Sequence, residues 1–309
     1  MVLGNVEPAG FEPAISVVKS RQWIKKSSRV IFIVVMATVL DGKTLATAIR
    51  AKVKGRVASL SAKPGLAVLL VGDDPASHLY VNLKEKACAE VGIRFERKEY
   101  AADVSEDNLV KDIRALNQRT DIDGILIQLP LPSQNADHVV AAIDPKKDVD
   151  GFHPKNLAAL AAGLPCLAPP VHLGVMKLIE STGQNITGKT AVVVSSVVFG
   201  SPLVSLLGER NVSAHIISLN AKNLKEELQT ADIVVTAIGR PAFITGDMLK
   251  PQAIVIDVGT SKRNDKVVGD VDRSTVDSVA AFVSPVPGGS GPLTVAYLLL
   301  NVLKARQHR

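Results

Sequence analysis

Tyr80 and Lys84 are spaced so that a phenol and an amine can share one site. They lie four residues apart in a segment that predicts a helix, so their side chains should lie on one helix face. An amine in a partly dry cleft loses its proton more readily than one in water, because burial disfavours the charged form. Such a lysine can transfer protons near neutral pH. Taken alone, the pair is more often a solvated surface, so the rest of the chain must decide.

Gln128 and two aspartates could direct such a lysine. Gln128 follows an aliphatic run and should lie at the carboxyl end of a strand, where open α/β sheets bind ligands. Asp148 and Asp150 lie in a glycine-containing loop. Each feature has a structural alternative, a glutamine bonded to nearby backbone or aspartates that organise a turn. The other oxygen ligands of an EF-hand are missing, so we expect no metal site.

A segment rich in glycine and proline, residues 283–296, precedes the last predicted helix. Glycine lets the backbone approach a planar ligand closely, so this segment could line a binding slot. The alternative is a rigid connection between two domains.

Alternating strands and helices must position these groups. Short runs, most of them aliphatic, predict strands at residues 66–71, 94–100, 124–127, 190–194, 214–217, 233–237, 254–258 and 281–283. Helices are predicted at 45–60, 77–91, 105–117, 136–143 and 173–181, near Ser201, and from 291 to about 306. In the second helix we expect a Ser77 cap, a glycine end at Gly92, and a core stripe of Leu79, Leu83, Ala87 and Val91. Parallel strands with helical crossovers are the simplest topology, and the second half predicts a Rossmann-type domain.

The composition favours parallel strands covered by helices. With 309 residues the chain can form two domains, and 47% hydrophobic against 4% aromatic residues suits aliphatic strands buried on both faces. The net charge of +6 comes without a basic stripe interleaved with aromatics, so we expect no nucleic-acid partner. A mild positive bias suits an anionic small molecule. Cys88 and Cys166 form no disulfide framework or metal-ligand pattern, which favours a reducing cytosol.

Residues 1–35 differ from the rest of the chain. They hold five basic and two acidic side chains, a charge of +3, and the only tryptophan. A basic run before residues 30–40 resembles the start of a signal peptide, but no small-residue cleavage pattern follows. The apolar run is also too short to span a bilayer comfortably, so we expect no membrane association. We interpret 1–35 as a disordered or non-native extension and Met36 as the natural start.

Four segments together resemble the bifunctional methylenetetrahydrofolate dehydrogenase/methenyltetrahydrofolate cyclohydrolase family. The resemblance runs from about Met36 to the C-terminus. Its patterns are YVxxKxKA at 80–87, QLPLP at 128–132, KDVDGFHP at 147–154 and PVPGGxGPxTVA at 285–296. Residues 231–241, 246–251, 256–259 and 268–272 also match. So many matches in the same order make coincidence an implausible explanation.

The resemblance implies two α/β domains with a cleft between them. A folate-binding catalytic domain would comprise residues 36–155 completed by the C-terminal helix, 287–309, and a Rossmann-like NAD(P)-binding domain would comprise 156–286. The implied reactions are NADP-dependent oxidation of 5,10-methylenetetrahydrofolate and hydrolysis of the resulting methenyl cation to 10-formyltetrahydrofolate. The resemblance also implies a metal-free cytoplasmic homodimer of one-carbon metabolism that serves purine and amino-acid biosynthesis.

The resemblance also assigns roles to matching residues. Lys84 would transfer protons, Gln128 would hydrogen-bond its amine and steer water, and Tyr80 would pack against the folate. Asp150 would accept hydrogen bonds from the pterin. The remaining folate-binding residues would be Pro285, Gly288, Gly289 and Pro292. Cofactor-binding residues would be Ser195, Ser196, Gly200, Ser201, Pro202 and Thr260.

The cofactor half departs from the family pattern at three places. Where the family pattern reads GRSxxVGxP, this chain has Val194 in place of the first glycine and Ser195 in place of the arginine. Serine cannot reproduce a bidentate contact to the 2′-phosphate of NADP. The family pattern HSxT corresponds to residues 218–221 of this chain, which lack the hydroxyls of its serine and threonine. The family pattern PCTPxG corresponds to a longer segment here, residues 165–174. Gly200 and Pro202 still suit a phosphate-binding helix N-terminus.

These departures leave three functions open. Folate binding and hydrolysis are better supported than hydride transfer, and NAD remains possible beside NADP. The alternatives to the bifunctional enzyme are a cyclohydrolase with an eroded dinucleotide site and a non-catalytic folate-binding protein.

Overall fold

Strands and helices alternate along the part of the chain that the computed structural model describes, residues 36–264 and 266–307. The prediction for residues 1–35 lies outside it. The strands are β1 (Thr38–Val39), β2 (Gly65–Val71), β3 (Arg94–Tyr100), β4 (Gly124–Ile127), β5 (Thr190–Val194), β6 (Ser213–Ile217), β7 (Ile233–Thr236), β8 (Ile254–Asp257), β9 (Ser261–Arg263), β10 (Lys266–Val268) and β11 (Phe282–Val283). The helices are α1 (Gly42–Ala58), α2 (Pro75–Val91), α3 (Glu106–Gln118), α4 (Ala136–Ala141), α5 (Pro154–Ala161), α6 (Pro170–Glu180), α7 (Val197–Gly208), α8 (Leu224–Thr230), α9 (Arg273–Val276) and α10 (Ser290–Gln307).

A three-stranded parallel sheet, in the order β3-β2-β4, carries the first set of predicted site residues. Every residue of β2 is buried, because helices cover both faces of the sheet. Leu66, Val68 and Leu70 pack with α1, α2 and α10 on one face. Ala67 and Leu69 pack with α3 and α4 on the other. Because β2 and β4 are parallel, their carboxyl ends lie at the same edge of the sheet.

A six-stranded parallel sheet, in the order β1-β11-β8-β7-β5-β6, forms the second core. Helices α6, α7 and α10 cover one face, and α8 and α9 cover the other. The strand β1, which the sequence did not predict, pairs with β11 through Thr38 and Phe282. The start of the described chain is thereby tied to the larger sheet. The predicted α/β class and parallel topology are confirmed.

The buried face of α2 differs from the prediction. The helix begins at Pro75, and the side chain of Asp74, rather than Ser77, caps it. Leu79 and Leu83 were expected in the core but are 56% and 45% exposed, whereas Val81 and Cys88 are buried. Two overlapping apolar stripes fit this segment equally well, so the periodicity could not choose between them. Packing against the sheet selects the stripe that leaves Leu79, Tyr80 and Leu83 exposed.

Candidate active site

Lys84 and Gln128 meet at the carboxyl edge of the smaller sheet. The Lys84 Nζ donates a hydrogen bond to Gln128 Oε1 over 2.7 Å, and Gln128 Nε2 donates to the carbonyl of Leu129 over 2.7 Å. Because the ammonium can only donate and the carbonyl can only accept, the amide orientation is fixed. Gln128 is 8% exposed, and its backbone N–H continues the ladder to Leu69. The two side chains therefore lie within hydrogen-bonding distance of each other at this edge.

Lys84 and Asp150 influence one another's protonation. Burial lowers the pKa of Lys84, and the negative charge of Asp150 partly opposes this shift. Burial likewise raises the pKa of Asp150 to about 6; Lys84 opposes this rise and Asp148 reinforces it. Both residues keep part of their surface accessible. The pair therefore combines an amine that deprotonates more easily than usual with a carboxyl group that titrates close to neutrality.

Asp148 organises the loop that presents Asp150. Its buried carboxylate accepts hydrogen bonds from the backbone N–H groups of Gly151 and His153, at 3.0 and 2.8 Å, and from the Asn156 side chain at 3.0 Å. The turn-organising alternative is thus correct for Asp148. Within the described residues, the Asp150 carboxylate accepts no side-chain hydrogen bond, so its oxygens remain available to a ligand.

Asn301 is a supporting residue that the sequence reasoning missed. It is fully buried in α10, and its Nδ2 donates to the carbonyls of Val149 and Ala168 at 3.0 and 2.9 Å. The loop before Asp150 is thereby joined to the proline-rich segment that leads into α6. Gly151, at φ +74°, packs so closely there that an added Cβ would lie 2.7 Å from the carbonyl oxygen of Leu167. A lone amide within the aliphatic run 298–303 was the available signal.

The predicted folate loop folds back onto the first turn of α1. The Gly289 N–H donates to the Pro285 carbonyl over 2.8 Å, and Gly288 adopts a φ of +114° that favours glycine. A Cβ added at Gly42 would lie 1.9 Å from the Gly289 carbonyl oxygen, so backbone packs directly on backbone. Pro285 and Pro292 are half-buried at the two ends of this turn. Tyr80 is exposed one turn before Lys84 on α2.

The turn between β5 and α7 holds most of the predicted cofactor residues. Ser196 caps α7 by accepting the N–H of Phe199 at 3.3 Å, while the Ser195 hydroxyl donates to the Ser196 carbonyl at 2.9 Å. Position 195 therefore carries a hydroxyl bonded to the neighbouring Ser196 carbonyl instead of a cation. A Cβ added at Gly200 would meet Ile216 Cγ1 at 2.6 Å, which explains the glycine. Val197 and Val198 are exposed, so the first turn of α7 is open to a ligand.

The remaining predicted cofactor residues lie around this turn and at the end of a neighbouring strand. The Ser201 hydroxyl bonds the Val197 carbonyl at 2.8 Å, and Pro202 is buried inside α7. Thr260 is exposed just beyond β8. Because β5 and β8 are parallel members of one sheet, their carboxyl ends share an edge.

Two buried aspartates that the sequence reasoning left without a role shape the same edge. The Asp270 carboxylate accepts from the Thr236 hydroxyl and from the N–H groups of Ile238 and Arg240, at 2.8–3.0 Å. The Asp257 carboxylate accepts three backbone N–H groups, and burial raises its pKa to about 7. They hold the loops that follow β7 and β8.

Neither cysteine offers a reactive thiolate. Burial raises the pKa of Cys88, one turn after Lys84, to about 12, and burial also raises the pKa of Cys166. Among residues 36–264 and 266–307, no three His, Cys, Asp or Glu side chains cluster in a way that could hold a metal ion. No helix in the same part of the chain is both long and apolar enough to cross a bilayer.

Comparison with known proteins identifies both halves of the chain. The catalytic domain of tetrahydrofolate dehydrogenase/cyclohydrolase matches residues 40–150, and the NAD(P)-binding domain of the same family matches residues 169–309. The bifunctional protein FolD of a Nitratiruptor species is 44% identical over 277 residues, which cover 88% of this chain and 98% of that protein. FolD of Acetivibrio thermocellus is 46% identical, covering 87% and 96%.

Solved structures give the same result. The bifunctional FolD enzyme from Campylobacter jejuni superimposes with a TM-score of 0.85 at 37% identity, covering 88% of this chain and 99% of that one. The Trypanosoma brucei dehydrogenase-cyclohydrolase, complexed with NADP cofactor and inhibitor, gives a TM-score of 0.84 at 32% identity and covers 88% and 98%.

Proposed function

The chain belongs to the tetrahydrofolate dehydrogenase/cyclohydrolase family, and on that premise we propose how its residues divide the two reactions of the bifunctional enzyme. The enzyme oxidises 5,10-methylenetetrahydrofolate with NADP+, which takes a hydride from the methylene carbon and becomes NADPH. It then hydrolyses the methenyl cation to 10-formyltetrahydrofolate. Water adds to the cationic carbon and releases one proton. The hydroxyl then becomes the formyl carbonyl as the bond from that carbon to N5 breaks, and the second proton passes to N5. The observation that carries the residue assignment is the Lys84–Gln128 hydrogen bond beside Asp150.

Lys84 is the proton-transfer residue of the hydrolytic step. Its lowered pKa increases the share of neutral amine, which can take a proton from the attacking water. Gln128 holds the nitrogen in one place through a 2.7 Å hydrogen bond and so orients it toward the reacting carbon. Tyr80, exposed one turn earlier on α2, packs its ring against the folate.

Asp150 and the loop from Pro285 to Pro292 bind the folate. An ionised Asp150 accepts hydrogen bonds from the pterin amino and ring N–H groups, and these bonds are stronger than neutral ones. Asp148 and Asn301 hold the loop in place without contacting substrate. Gly288 and Gly289 let the backbone line the slot closely.

The open first turn of α7 binds the dinucleotide phosphates. A helix N-terminus attracts phosphate through its N–H groups and dipole, and Gly200 lets this turn pack closely against Ile216. Ser195, Ser196, Ser201, Pro202 and Thr260 complete the site. The inward-turned Ser195 weakens discrimination between NADP and NAD, because no guanidinium is available at this position for the 2′-phosphate.

The test is an absorbance assay of purified protein with methylenetetrahydrofolate, run separately with NADP+ and NAD+, beside hydrolysis of the methenyl substrate. We expect reduction of NADP+ and hydrolysis. Hydrolysis alone would instead indicate a cyclohydrolase with an eroded dinucleotide site, and folate binding without either activity a non-catalytic protein.

In Ser195→Arg we expect the ratio of kcat/KM for NADP+ over NAD+ to rise about tenfold, as one bidentate phosphate contact would give.

The finer properties rest on the family resemblance. They are a metal-free homodimer formed through the cofactor domain, a cytoplasmic location, a contribution to purine and amino-acid biosynthesis, and the domain bounds 36–155 with 287–309 and 156–286. Light scattering of the purified enzyme tests the homodimer, and a monomer mass at micromolar concentration would contradict it.

A further inference from the structure

His172, in the first turn of α6, is a fully buried polar side chain with no role in the site described above. It is 0% exposed, and its Nε2 lies 2.7 Å from the carbonyl oxygen of Phe199. Since a carbonyl only accepts, Nε2 carries the proton and Nδ1 is an acceptor. That Nδ1 has no hydrogen-bond partner among the described residues. Burial lowers the pKa of His172 to about 4, so the ring is neutral at working pH.

The imidazole ring contacts both halves of the site. Its centroid lies 4.6 Å from the ring of Phe199, in the first turn of α7, and 6.1 Å from Phe152 in an edge arrangement. Phe199 directly precedes Gly200, and Phe152 follows Asp150 by two residues. One side chain therefore joins the loop that presents the folate carboxylate to the turn that faces the dinucleotide.

A purely space-filling role does not account for this histidine. An apolar side chain would fill the space without leaving a buried acceptor unpaired, and that unpaired Nδ1 costs stability. What an apolar side chain cannot supply is the N–H that holds the Phe199 carbonyl. Natural proteins typically keep an unpaired buried polar atom of this kind where function requires it.

We propose that His172 is a positioning residue for hydride transfer, fixing the first turn of α7 relative to the loop that carries Asp150. The inference rests on the dinucleotide-dependent half of the proposed function. Hydride transfer needs the two bound molecules in register, and a misplacement of about 1 Å can cost about 100-fold in rate. Hydrolysis of the methenyl substrate uses no dinucleotide, so it serves as an internal control.

The experiment compares His172→Phe, which keeps a ring but removes the donor, with His172→Gln, whose amide can still donate to the Phe199 carbonyl. Calorimetry gives the Kd of NADP+, and steady-state assays give kcat/KM for both reactions. In His172→Phe we expect dehydrogenase kcat/KM to fall about tenfold while cyclohydrolase kcat/KM stays within about twofold. His172→Gln should recover most of the loss. His172→Met, which fills irregular space, replaces the phenylalanine variant if that protein does not fold.

Three results would overturn the inference: unchanged dehydrogenase kinetics in the donor-free variant, an equal loss of both activities that follows the melting temperature, or no recovery with glutamine. If the wild-type enzyme does not reduce NADP+, the dehydrogenase assignment fails on its own. The NADP+ Kd values of the variants then judge His172 separately, and equal values would refute its positioning role.

Discussion

Replacing Lys84 with methionine separates the chemistry of this side chain from its packing. Methionine is unbranched and of similar length, so it can occupy the same space beside Gln128 as the lysine. A positioned acid–base group contributes about 100- to 10,000-fold to rate, and we expect cyclohydrolase turnover to fall by at least this amount. The matched control is Lys86→Met, an exposed lysine on the same helix, which should retain full activity.

The stability of Lys84→Met should equal or exceed that of the wild type. Burial lowers the pKa of Lys84, so between its folded and unfolded pKa the folded state binds fewer protons than the unfolded state. Stability therefore rises with pH in that window, and below it the folded protein pays the full cost of the buried charge. Methionine removes this cost at neutral pH. Against it stands the lost hydrogen bond to Gln128, about 0.5–1.5 kcal/mol in a site that water can enter.

The assay follows loss of methenyltetrahydrofolate absorbance at pH 7, with thermal unfolding of the same samples. An inactive Lys84→Met that melts at or above the wild-type temperature supports the reasoning. Undiminished hydrolysis would refute the role of Lys84, and a large drop in melting temperature would refute the electrostatic argument.

Three further perturbations probe the surroundings of this amine. Gln128→Leu removes a hydrogen bond of about 0.5–1.5 kcal/mol, so cyclohydrolase kcat/KM should fall about 2- to 13-fold. Gln128→Glu should raise the pKa of Lys84 and shift the pH–rate profile to higher pH, and an unshifted profile would contradict this. Burial raises the pKa of Asp150 to about 6, so the KM for folate should rise as pH falls through this value. If the same pH dependence of KM is found in Asp150→Asn, the Asp150 carboxyl is not its cause. Asn301→Leu leaves two buried carbonyls without their shared donor and should lower the free energy of unfolding by about 1–3 kcal/mol. Urea titrations measure this change, and an unchanged midpoint would contradict the stabilising role of Asn301.

Local patterns predicted most strands but failed where two solutions were locally equivalent. The bounds of β3, β4 and β5 agree with the predicted ranges 94–100, 124–127 and 190–194. Helix α5 was missed, because its apolar run covers only residues 157–161 and gives little periodicity. For α2 the sequence allowed two buried faces, and only contact with β2 and α1 excludes the one containing Leu79 and Leu83.

The sequence alone determined the α/β class, the second Rossmann-like sheet and the identity of the polar residues from Tyr80 to Asp150, since propensity, periodicity and ordered motifs are local properties. Only the tertiary structure decided which of these groups meet. The Lys84–Gln128 bond joins residues 44 apart, and Asn301 reaches a carbonyl 152 positions away. His172 acquires its contacts in the same manner, through the packing of α6 on α7. Burial likewise sets the pKa directions of Lys84 and Asp150, because desolvation depends on every element packed around a charge.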